Sequence, residues 1–84
     1  MSTQQKILAV LDQVLELKGR ALAFDATTRL LGALPELDSL GVGSLILNLE
    51  KTFQLRIDDD EIDGSVFETV HSLSEFIDLK LNTR

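Results

Sequence analysis

Ser39 is the residue in this chain best placed to do chemistry. It follows Asp38 at the point where a loop-like stretch gives way to a helical one. An aspartate there is a good N-cap, because its carboxylate accepts a hydrogen bond from a free N–H of the first turn. A serine in the next position sets a hydroxyl at the positive end of the helix, where free N–H groups and the macrodipole favour a phosphodiester. By residue type alone the pair is also a plain helix cap. It does not read as a nucleophilic enzyme. Ser39, His71 and an aspartate satisfy a triad by composition, but no elbow or oxyanion-hole motif accompanies them.

The other constellations are weaker. With Asp59 placed first, Glu61, Asp63 and Gly64 fall at EF-hand positions three, five and six, but position twelve is Val70 and the bidentate glutamate is missing. His71 is the one histidine and has no second ligand at metal-binding spacing, so it reads as a surface residue beginning the last helix. Gly41-Val42-Gly43 lacks the strand that a dinucleotide fingerprint requires before it. No metal site and no catalytic residue is assigned.

The elements that must position Ser39 can be read from caps and apolar spacing. Ser2 and Gln5 fit a capping box, and Ile7, Leu8, Leu11, Val14 and Leu15 follow on one helical face. Lys18-Gly19 is a suitable end, since glycine tolerates the left-handed conformation there. Residues 20–38 form a long connection with room for one short helical turn. Its Leu22, Phe24, Leu30, Leu31, Leu34 and Leu37 suggest a loop pinned to the core. Pro35 disfavours helix at Leu34. The second helix runs from Asp38 to about Phe53, with Val42, Ile46, Leu49 and Phe53 as its core face and Leu40 and Leu47 outside it. Asp58 to Glu61 offers a short third helix. Thr69 or Ser72 caps the last helix, which turns Val70, Leu73, Phe76, Ile77 and Leu81 inward. No stretch alternates long enough for a strand. The predicted fold is all-α, a small four-helix bundle of three longer helices and one short third helix, with a long first loop.

Composition narrows the function. A chain of 84 residues with 44% apolar content makes a single domain, residues 1–84, too small for a deep catalytic cleft. Absence of cysteine excludes disulfides, thiolate zinc sites and a cysteine nucleophile. The polar N-terminus lacks the apolar core of a signal peptide, and no apolar run reaches the roughly 18 residues of a membrane span. A cytoplasmic location without membrane insertion is expected. Residues 36–78 hold eleven acids against two bases, a net −9 within a chain of net charge −6. That sign opposes nucleic-acid binding and suits a basic protein partner.

Leu37-Asp38-Ser39-Leu40, Leu45, Leu49 and Phe53, the Phe53-x-x-x-Ile57 join into Asp58-Asp59-Asp60-Glu61-Ile62, and Thr69-Val70-x-x-Leu73 together resemble the acyl and peptidyl carrier proteins. The resemblance runs from about Ile7 to Leu81. It implies that Ser39 carries a covalent 4'-phosphopantetheine whose thiol holds acyl or aminoacyl groups as thioesters. It implies a phosphopantetheinyl transferase as partner, with Asp38 helping to orient that enzyme's metal ion and Leu40 touching partners. Further partners would be acyl-loading ligases or synthases with basic docking surfaces, served by a monomer. Residues 30–39 also resemble carrier proteins of exosortase-linked exopolysaccharide systems.

The chain departs from the family at Glu36, where a small residue is usual, and at Gly41, Gly43 and Ser44, where acids often stand. Docking acids would then come from Glu36, Asp38 and the 58–63 cluster, with Leu47 as a further contact. Ile57, Ile62 and Phe67 are the expected acyl-chain pocket. The alternative is a small helical interaction module without a prosthetic group, using Leu40 and Leu47 as its patch.

Overall fold

The computed structural model describes residues 2–35 and 37–83. Its first helix, α1, spans Thr3–Val14, opened by the expected capping box: Gln5 N–H donates to Ser2 Oγ and Ser2 N–H to Gln5 Oε1, each at 3.2 Å. Ile7, Leu8, Val10 and Leu11 are its buried side. The helix stops a turn earlier than Lys18-Gly19. Glu16 takes a left-handed φ of 53°, and Leu17 N–H closes back onto Asp12 O at 3.0 Å, a Schellman-type end. Leu17 is thereby buried beside Leu15. The Asp12 carboxylate then accepts N–H bonds from Gly19 (3.1 Å) and Ala21 (3.2 Å), which folds Arg20–Ala23 into a 3₁₀ turn.

The long connection is pinned to the core, through four of the six apolar residues expected. Leu30 and Leu37 are buried and Phe24 and Leu34 half-buried, whereas Leu22 and Leu31 face solvent. In the 3₁₀ turn Ala21 takes the inward position, and Leu22 is left outside. The connection is also tied by its backbone. Leu30 and Leu31 N–H donate to Glu68 and Phe67 O, each at 2.9 Å. In return Val70 and His71 N–H donate to Thr28 O (3.0 Å) and Ala26 O (2.9 Å), around an antiparallel bridge between Arg29 and Thr69. These bonds occupy donors of a helix start that would otherwise need water.

The second helix, α2, spans Ser39–Phe53 and the last, α3, spans Val70–Thr83. In α2 the buried row is Leu45, Leu49 and Phe53, while Val42 and Ile46 are half-buried. The buried face is thus rotated from the Val42-Ile46-Leu49-Phe53 stripe expected. Both rows are apolar, so packing against α1, which contacts α2 and α3, selects between them. Gln54, at φ 54°, ends the helix with Leu55 N–H bonded to Glu50 O. The short third helix is a single 3₁₀ turn, Asp59–Glu61. For α3 the capping question resolves in favour of Thr69: Ser72 N–H donates to Thr69 Oγ1 and Thr69 N–H to Ser72 Oγ, both at 3.0 Å. Val70, Leu73 and Ile77 are buried, with Phe76 and Leu81 half-buried.

The radius of gyration is 11.6 Å, near the roughly 12 Å of a compact chain this long. The long connection is therefore packed down onto the bundle. Among the described residues no helix is long and apolar enough to cross a membrane.

Candidate modification site

Ser39 is the first residue of α2. Asp38 caps the helix from an extended backbone conformation, its Oδ1 accepting Gly41 N–H at 2.8 Å, while Val42 N–H bonds Asp38 O at 2.8 Å. The serine is thus held between a fixed cap and the first closed turn. Upstream, buried Leu37 anchors the approach with its N–H on Leu34 O. Downstream, Leu40 is 84% exposed and Leu47 60% exposed. Seven residues apart, they lie on nearly the same side of α2. Between them a Cβ on Gly43 would meet nothing within 4 Å. This face of the helix is open to solvent. Glu36 lies outside the described residues.

Ile57 and Phe67 are buried in the core, and Ile62 packs half-buried against it. The segment carrying them is held at its start by Glu50, whose Oε2 accepts Ile57 N–H at 2.8 Å. Glu50 is therefore a strut within the fold. No short-range sequence signal marked it, because its partner lies across the left-handed turn at Gln54.

The acidic stretch is not a uniform solvated face. Glu61 reaches Lys80 of α3, with Nζ 2.6 and 2.8 Å from its two oxygens, and also accepts Asp58 N–H at 2.9 Å. The Lys80 hydrogen bond, then the Asp58 N–H, hold the Glu61 carboxyl below its ordinary range. Asp63 is lowered by hydrogen bonds from the Ser65 hydroxyl and N–H, and Asp25 by those of Thr27. Asp58 and Asp60 remain exposed, with Asp38. Among the described residues no group of three or more His, Asp or Glu is arranged to hold a metal ion. His71 lies at the start of α3, paired with Glu75 one turn on.

Because the folded state favours the ionised forms of these three carboxyls, their contribution is fully present above the ordinary carboxylate range near pH 4. It is lost as pH falls through their lowered folded values. The thermal midpoint is accordingly expected to drop between pH 6 and pH 3. Glu61→Gln should shrink that drop, as scanning calorimetry on both proteins will show; an unchanged pH profile would remove Glu61 from the account.

An all-α bundle with a capped serine opening its second helix is the arrangement that the resemblance to carrier proteins implies. The chain superposes on the solution NMR structure of a holo acyl carrier protein from Nitrosomonas europaea with a TM-score of 0.91 and 40% sequence identity, covering 98% of this chain and 99% of that one. No protein-family model and no curated protein matches the chain. At this identity over essentially the whole length, the chain belongs to the acyl carrier protein family.

Proposed function

We propose that residues 1–84 form one monomeric carrier domain, acting in the cytoplasm, with Ser39 as the attachment point of 4'-phosphopantetheine. The observation that carries this reading is Ser39 at the first position of an Asp38-capped helix, in a fold shared at 40% identity with a holo acyl carrier protein. The residues suit the group. The helix start favours a phosphodiester, and the exposed Asp38 and Leu40 with open space at Gly43 leave the approach clear. In the loading step the Ser39 hydroxyl oxygen bonds to the pantetheine-side phosphorus of coenzyme A. The pyrophosphate P–O bond breaks, adenosine bisphosphate leaves, and the hydroxyl proton passes to the transferase. The bound arm supplies a thiol for thioester formation with acyl or aminoacyl groups. This chain's part is to hold the arm and present it, not to catalyse.

The stripe Leu40-Gly43-Leu47, with exposed Asp38 at its start, would meet partners that combine an apolar patch with basic residues. Those partners are the phosphopantetheinyl transferase and acyl-loading ligases or synthases. Ile57, Ile62 and Phe67, all in or against the core, would line the acyl-chain pocket. The likeness of residues 30–39 to exosortase-linked carriers places the exopolysaccharide subtype among the pathways to test. The reading is tested by incubating the chain with coenzyme A and a phosphopantetheinyl transferase and measuring intact mass. One phosphopantetheine gained supports the carrier reading, and none gained favours a simple interaction module.

Asp38 has two expected roles. Asp38→Ala should cost about 1 kcal/mol from the lost cap, read by urea unfolding. It should also slow arm attachment by more than the unfolded fraction explains. Unchanged attachment kinetics in fully folded variant would leave Asp38 only its cap.

A further inference from the structure

We infer that residues 58–65 form a strap over one side of the core, latched shut by the Glu61–Lys80 ion pair. The strap is pinned at both ends. Before it, Glu50 holds Ile57 N–H at 2.8 Å. After it, the Ser72 hydroxyl donates to Val66 O at 2.9 Å, and Phe67 and Glu68 O accept from Leu31 and Leu30. Between these pins the backbone has one 3₁₀ turn, Asp59–Glu61, and local turns closed by Asp63. Such a segment has little internal structure to keep it down.

Glu61 crosses from the middle of the strap to the body, reaching nineteen residues along the chain to Lys80. Both oxygens meet the ammonium, and the two side chains are 32% and 22% exposed. One Glu61 oxygen also holds Asp58 N–H, so losing the pair loosens the turn as well as the crossing. Under the strap Ile62 and Val66 pack against the core beside buried Ile57 and Phe67. An open groove of about 500 Å³ already runs where Ser65 and Val66 meet Phe76 and Leu79 of α3. The latch ties the same two segments together, since Lys80 stands one turn beyond Phe76 on α3 and Glu61 lies four residues before Ser65. Lifting the strap widens this groove toward the core. If the arm on Ser39 carries an acyl chain, a consequence that rests on the function proposed above, the latch sets how readily the chain finds apolar cover.

The test is amide hydrogen exchange on the unmodified chain, so that a failed latch and a failed arm attachment are separate results. In Lys80→Met, exchange at Asp58, Glu61 and Val66 should rise about threefold to fivefold, the scale of a partly exposed ion pair. Leu30, Leu31, Leu49 and Leu73 amides should keep their protection. The charge swap Glu61→Lys with Lys80→Glu should restore protection at position 61 and at Val66, though not at Asp58, whose N–H acceptor is the Glu61 carboxylate; a loss of mere packing by Lys80 would not allow that recovery. Unchanged strap exchange in Lys80→Met, a uniform rise across the chain, or a swap no better protected than the single variant would each overturn the latch.

Discussion

Ser39→Ala is expected to gain no phosphopantetheine after exhaustive treatment with a transferase and coenzyme A, while keeping the parent's thermal midpoint. The loss is total because the new bond forms at the hydroxyl oxygen that the variant lacks. The fold should persist for two reasons. The cap belongs to Asp38, whose Oδ1 already satisfies Gly41 N–H, and alanine has the highest intrinsic helix propensity. No other described serine repeats the arrangement. Ser2 is committed to Gln5, Ser65 to Asp63, and Ser72 to Thr69 and Val66. The Ser74 hydroxyl is buried. Ser44 is exposed but lies within α2, away from a free helix end. Ser44→Ala should therefore load like the parent. A mass gain in Ser39→Ala would falsify the assignment.

The largest expected stability effect separates two leucines two residues apart on α2. Leu49 is fully buried and Leu47 is 60% exposed. Leu49→Ala removes apolar transfer energy and leaves a cavity, costing about 2–5 kcal/mol. A core of this size yields only roughly 3–5 kcal/mol in total, so Leu49→Ala should lose most of that stability, with a sharply lowered urea midpoint by circular dichroism. Leu47→Ala should stay within about 0.5 kcal/mol of the parent in urea unfolding. Its effect should appear instead as slower loading or weaker partner binding. Equal destabilisation by both changes would mean that the buried side of α2 is wrongly assigned.

The contrast between these leucines shows where reading the sequence reaches its limit. Helix starts were legible because their signals are local. Ser2 with Gln5, Asp38 with Gly41, and Thr69 with Ser72 each close a bond over three residues. Only steric reach and residue type decide such bonds. The all-α class, the outward Leu40 and Leu47, and the place of Ser39 at a helix start follow from the same short-range logic. The family was legible too, since its motifs sit at those starts and joins.

Tertiary structure decided what depends on partners far along the chain. In α2 the rows Val42-Ile46 and Leu45-Leu49-Phe53 are both apolar, and packing against α1 chose the second for burial. Leu31 is apolar but faces solvent, while its N–H is fixed by Phe67 O. Asp12 lies off the apolar face of α1, yet its carboxylate organises the turn at Gly19 and Ala21. Glu61 sits in a run of like charges that reads as a solvated face, and Lys80 sits in the last helix. Neither carries a local mark of the other, because an ion pair nineteen residues apart forms only where packing brings the two backbones side by side. The sequence by itself determined where helices begin and that Ser39 opens the second of them. Packing determined which faces close, which acids remain free, and how the segment between α2 and α3 is held down, because burial and long-range pairing are properties of the assembled bundle.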